Sequence, residues 1–178
     1  MSKPSSVILV VEDDYHKRLV YQYLKRRVNP HVIRIEISPS GRGSAESWVR
    51  ERLVLELREY RRRQAETRLI VVIDADKNTV QERMAQLDQS LKDAAVSIAR
   101  HHIARLVPKR NVETWILCLN AEDVNEEDDY TGKGHNWDRL IPSAAIALFE
   151  RTQSVAPAAH GMTASLRMAI DELRRLSL

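Results

Sequence analysis

Leu69-Ile-Val-Val-Ile-Asp-Ala-Asp-Lys77 decides the fold of this chain. Residues 69–73 are apolar and mostly β-branched. A continuous apolar run bounded by polar residues reads as a strand buried on both faces, as in a parallel sheet covered by helices. Asp74 stands at its carboxyl end, and Asp76, two residues on, has the strand periodicity that would point it the same way. Two such carboxylates repel each other and are costly to desolvate unless a cation lies between them. The plainer reading makes Asp76 a cap for the next helix and Asp74 only the end of the strand.

Upstream, Val7-Ile-Leu-Val-Val11 reads as another buried strand, and it too runs into acids, Glu12-Asp13-Asp14. A helix is expected over 15–27, with Asp14 as its N-cap and Asn29-Pro30 as its stop. On that helix His16 reads as solvated surface, with a transition-metal ligand or a phosphate contact as the alternatives. Residues 31–37 alternate as a strand nearer the sheet edge does. After the loop 38–44 comes a long amphipathic helix with Ala45, Val49, Leu53 and Leu57 on one face.

Downstream, a helix is expected over 79–93 and a fourth strand over 101–107, with 94–100 open to a helical reading. Pro108-Lys-Arg-Asn111 then leads into a helix carrying Val112, Trp115, Ile116 and Leu119. Residues 120–137 read as irregular, and helices near 139–151 and 162–176 close the chain. Strands alternating with helices imply a mostly parallel sheet with helices on both faces, and a site beyond the carboxyl ends of its strands. Glu12, Asp74 and Asp76 all fall there.

The 178 residues suit one domain with a substantial core: residues 1–120 as the α/β unit and 121–178 as a helical extension packed on it. A net charge of +3 permits a nucleic-acid partner without requiring one, so the distribution of charge says more. Arginine dominates residues 42–63, and 100–110 hold bases and histidines without an acid, whereas 122–129 are acidic without a base. The single Cys118 excludes an internal disulfide and a cysteine metal cage. No signal peptide or membrane-length apolar run is seen, so the chain reads as cytoplasmic, with no membrane partner.

Two resemblances follow from these motifs. Residues 7–14 resemble the opening of a response-regulator receiver domain, whose acidic pair holds Mg²⁺ beside a phosphoryl-accepting aspartate. Receivers place that acceptor much nearer the pair than Asp74 lies here, and Val107-Pro108-Lys109 reverses their Lys-Pro order. Glu12 followed later by Asp74-Ala-Asp76 is more similar to the Toprim domain, shared by topoisomerases, bacterial primases, recombination mediators, small RNA-maturation nucleases and OLD-family nucleases. Val107-Pro-Lys-Arg-Asn-Val-Glu-Thr-Trp115 and Gly41-Arg-Gly43 look closest to the small OLD-like branch. His16 replaces a second acid of many such members, and Ala75 replaces the proline of the primase-like branch.

The Toprim resemblance implies a Rossmann-like fold over about residues 6–120 and a Mg²⁺- or Mn²⁺-dependent nuclease in a defence or repair system. Glu12, Asp74, Asp76 and Glu113 would hold metal, and Lys109 would join them in catalysis by meeting the phosphate. Arg42, Arg61, Arg62, Arg63, Lys109 and Arg110 would contact DNA or RNA. Glu113 has an equal reading as a helix-dipole acid, and the basic residues as solvated surface. Gly132-Lys-Gly-His135 could form a flap over the site. No phosphate-binding ATPase motif is seen, so an ATPase of the OLD type would be a separate subunit. The alternatives are a non-catalytic Toprim module that binds nucleic acid or a protein partner, and a receiver-like phosphoacceptor.

Overall fold

The structure is a computed structural model describing residues 4–40, 44–62, 66–95, 97–132, 134–154, 161–176 and 178. Strands β1 (Ser6–Val11), β2 (Ile33–Ile37), β3 (Thr67–Val72) and β4 (Ile103–Leu106) form a four-stranded sheet in the order β2-β1-β3-β4. Every neighbouring pair is parallel. Helices α1 (Asp14–Leu24), α2 (Ala45–Arg62), α3 (Val80–Asp93), α4 (Val112–Leu119), α5 (Trp137–Gln153) and α6 (Ala164–Arg175) surround it. The chain is therefore a parallel α/β protein of the Rossmann-like kind, as its apolar runs imply.

β1 and β3 lie at the centre, and alternation sends their side chains into two cores. Val7, Leu9, Val11, Ile70 and Val72 pack with α1, α4, α5 and α6, whereas Ile8, Val10, Leu69 and Val71 pack with α2 and α3. Each side chain of that size contributes about 1.5–3 kcal/mol when fully buried. Trp115 is in the first core, and Trp48 and Trp137 are half-buried against the cores.

Several boundaries move. β3 starts at Thr67 because Thr67 and Arg68 still pair with Ser6 and Val7. β4 is shorter than the 101–107 expected, its start replaced by a 3-10 turn over Arg100–His102, with no α-helix across the described part of 94–100. β2 is indeed an edge strand. The α1 N-cap is Asp13, not Asp14. Among the described residues no helix is long and apolar enough to cross a membrane.

In the strand order the chain turns outward on both sides of the β1–β3 pair, so the switch point lies between those two strands. Open parallel sheets place ligands at that point, beyond the carboxyl ends of the strands.

Candidate metal centre

Val11 and Val72 are register partners, so Glu12 and Ile73 leave the sheet side by side. The Ile73 and Ala75 N–H groups donate to Leu106 O (3.1 Å) and Pro108 O (2.8 Å). The Asp74 N–H turns the other way and donates to Glu12 Oε2 at 2.7 Å. Strand alternation thus persists to Ala75 and brings the two acids together. It stops at Asp76, whose φ of 55° is left-handed. The Asp76 side chain is consequently on the rim, 57% exposed and 3.8 Å from Arg83 Nη2, rather than alongside Asp74. Nor does it cap α3, where Thr79 and Glu82 form a capping box.

His16 overturns the surface reading: it is 0% exposed. Asp13 Oδ1 accepts from His16 N (3.0 Å) and from His16 Nδ1 (2.8 Å), while Nε2 lies 2.9 Å from Asp74 Oδ1. With both carboxylates ionised, and so able only to accept, both ring nitrogens donate and the ring is an imidazolium between two acids. Burial opposes that charge, but Asp74 and Asp13 outweigh it and raise the His16 pKa well above its ordinary value. Strand alternation alone would send Asp13 to the face opposite Glu12. It lines the same concavity as Asp74 and Glu113 instead, because capping α1 turns its carboxylate toward His16.

The remaining acids crowd one another. Burial first and Asp74 second push Glu12 up to about 7. Burial likewise raises Asp74, against the opposing charge of His16. Asp13 feels burial too, yet its bonds and charge pairing with His16 hold it below the usual range. Glu113, buried in the first turn of α4, is pushed up to about 6 by burial and by the Asp74 and Asp13 charges.

Glu12, His16 and Asp74 each offer one donor atom, and these atoms lie within 4.8 Å of one another. Two hard oxygens and one imidazole nitrogen fit a small divalent cation. Asp13 on Nδ1 is the partner that would fix a ligating ring. Asp76 and Glu113 stand outside this group but share the concavity with Asp13, Asp74, Arg110 and Asn111. Asp129 and Thr131 from the irregular segment also line it.

Of the basic residues, Arg110 reaches the concavity, and Lys109 is held at 2.9 Å by Glu127. Arg62 precedes β3, at the opposite end of the sheet from Glu12, and pairs with Glu59 at 3.3 Å. Arg42, with Gly41 and Gly43, lies outside the described residues, as do Arg63, the Arg61 side chain and Lys133. Sequence reading missed Arg83, a fully buried cation whose Nε donates to Asp74 O at 2.9 Å and which pairs with Glu46 of α2. Its signal was present: Val80, Arg83 and Leu87 share one helical stripe, and a charge on an apolar stripe implies a buried partner. Asp13 and His16 had one as well, an i, i+3 pair at a helix start.

No family model, curated protein or solved structure matches this chain.

Proposed function

We propose that this chain is a divalent-metal-dependent nuclease of the Toprim type, hydrolysing phosphodiester bonds of DNA or RNA at the β1–β3 switch point. The observation that carries the reading is the convergence of Glu12 and Asp74, from strand ends far apart in sequence, with His16 of α1 on one small volume. Burial is the main cause of the raised Glu12 and Asp74 pKa values, with neighbouring carboxylates adding to it, and perturbed groups of this kind gather at functional sites.

Glu12 and Asp74 would hold the ion, and His16 would join them by giving up its Nε2 proton while Asp13 keeps Nδ1–H. That donor set favours Mn²⁺ over Mg²⁺, since imidazole suits the softer ion. When bound, the ion would offset charge on the scissile phosphate and lower the pKa of water. Glu113, with its pKa near 6 and its place in the concavity, would accept the proton of the attacking water as the P–O bond to the leaving strand breaks. Arg110 would contact the phosphate. Arg83, bonded to the Asp74 carbonyl, holds that turn in place.

Supercoiled plasmid, single-stranded DNA and structured RNA, each incubated with Mn²⁺ or Mg²⁺, test this. Cleavage should be nearly abolished by Glu12→Gln or Asp74→Asn, and the double variant should lose little more, since both act through one centre. Glu113→Gln should cost about ten- to a thousand-fold, the scale of a single catalytic contributor. Full cleavage by Asp74→Asn would place the activity elsewhere. Calorimetric Mn²⁺ binding without cleavage of any substrate would favour a non-catalytic module.

A further inference from the structure

The two edges of the sheet are treated differently. At β4, the Arg105 N–H donates to Glu172 Oε2 of α6 at 2.9 Å, so a side chain covers the edge. Among the described residues nothing pairs with the outer edge of β2. Natural proteins usually cover, charge or interrupt such edges, because unpaired backbone groups recruit another strand. β2, Ile33-Arg-Ile-Glu-Ile37, contains no proline or glycine, its two charges, Arg34 and Glu36, are of opposite sign, and Ile37 is 37% exposed.

The direction of the free groups follows from one bond. The Ser38 N–H donates to Val11 O of β1 at 3.1 Å. Successive N–H groups of a strand point to opposite sides, so those of Glu36 and Arg34 also face β1. Those of Ile35 and Ile37 face outward, as do the carbonyls of Ile33 and Ile35. The Ile33 N–H is already bonded to Pro30 O.

We infer that β2 is a dimerisation edge that pairs antiparallel with β2 of a second copy of this chain, on a two-fold axis through Ile35. In that register Ile35 exchanges both backbone bonds with its own copy, and Ile37 donates to the Ile33 carbonyl across the axis. The outward N–H groups of Ile35 and Ile37 and the carbonyls of Ile33 and Ile35 all find partners, whereas the Ile37 carbonyl, opposite the already bonded Ile33 N–H, stays open to water. Arg34 then stands opposite Glu36 of the other copy in the non-hydrogen-bonded pairs, where side chains come closest. The strand is thus self-complementary in charge as well as in backbone bonding, as a two-fold interface requires. Arg34 contributes to this while keeping its pairs with Glu36 (3.4 Å) and Glu56, because it is 45% exposed and its guanidinium carries spare donors. Arg52, which holds Glu36 at 2.9 Å, lies one helical turn from Leu55, and Leu55 is 49% exposed. The result is a continuous sheet across two copies.

A strand-only interface is small, so dimerisation should depend on concentration. Sedimentation equilibrium across a dilution series should show a mass rising from 20.5 kDa toward twice that value. Ile37→Pro removes an outward donor without touching the bonds to β1, and should give a folded monomer by circular dichroism. Ile37→Lys keeps the backbone donor, puts a charge on the apolar edge and should weaken the dimer too. Position is tested by cross-linking in a Cys118→Ser background. Opposed residues of a hydrogen-bonded antiparallel pair have Cα atoms about 5.5 Å apart, within disulfide reach. Ile35→Cys should cross-link to itself, and Ile33→Cys only when mixed with Ile37→Cys. A wild-type chain that stays monomeric at every concentration overturns the inference. So does a dimer that persists in both Ile37 variants, or one in which Ile33→Cys cross-links alone.

Discussion

Asp13 acts twice through one oxygen: it accepts the His16 N–H that starts α1 and the Nδ1–H of the same residue. Truncation should therefore have two separable effects. Asp13→Ala should lose about 0.5–2 kcal/mol of stability as an N-cap deletion, and about 10- to 100-fold in Mn²⁺ affinity as an outer-shell deletion. Asp13→Asn keeps a capping oxygen, so it should recover most of the stability while the affinity stays low. Calorimetric titration beside thermal melts reads both quantities, and an Asp13→Ala protein with unchanged Mn²⁺ affinity would remove His16 from the ligand set. Asp13 and Asp14 are adjacent acids at the end of β1, and either can cap a helix. Only the closeness of α1 to Asp74 shows which of them faces the site.

At the scale of elements, the segment between α4 and α5 lacks regular structure but is tied down along its length. Glu126 accepts from Ser165 N (3.1 Å) and Oγ (2.9 Å) at the start of α6, and Glu127 holds Lys109. Asn111 caps α4 through Oδ1 and donates from Nδ2 to Asp129 at 2.8 Å, with Thr131 Oγ1 at 3.3 Å. The segment's acids thus serve as caps and tethers against the basic lead-in of α4. Asn111→Ala removes the cap and the tether together. It should cost about 0.5–2 kcal/mol and open residues 122–131 to faster limited proteolysis, since local opening follows the loss of local contacts. An unchanged cleavage pattern, mapped by mass spectrometry, would show that the other ties suffice. Charge counting found the acidic run but not its role, because the ties join positions distant in sequence.

For the whole molecule, the crowded site makes metal-free stability depend on pH. Glu12 holds its proton to about 7 in the folded chain against 4.5 as a free side chain, and Glu113 to about 6. Raising the pH through those windows removes protons the folded state binds more tightly, so stability falls. His16 acts in the same direction: its contribution is complete below 6.5 and is lost as pH rises through its higher folded value. Asp13 and His102 have the opposite sign: the Asp13 window lies below the ordinary carboxylate range, and that of His102, lowered by burial and the Arg68 charge, lies below 6.5, so only the latter offsets part of the fall. The metal-free melting temperature should therefore be lower at about pH 8 than at about pH 5.5. Mn²⁺ should raise it more at the higher pH, where fewer protons must leave the ligands. Glu12→Gln should flatten the profile. A melting temperature that is level or rises with pH in the wild type would contradict the carboxylate crowding.

The parallel sheet, its edge strand, the helix order and the nearness of Glu12 to Asp74 were legible in the chain. Each depends on local periodicity: apolar runs of strand length, helical stripes, and acids at the ends of buried strands. The burial of His16, the capping choice of Asp13, the outward turn of Asp76 and the place of Arg83 were decided by tertiary structure. A charged or polar residue is buried or exposed according to the partner that meets it, and those partners come from other elements. Asp74 meets His16 across the strand–helix gap, and Arg83 meets the Asp74 carbonyl from α3. Periodicity assigns a residue to a face of its own element; which charge waits on the facing element is fixed only when the two pack.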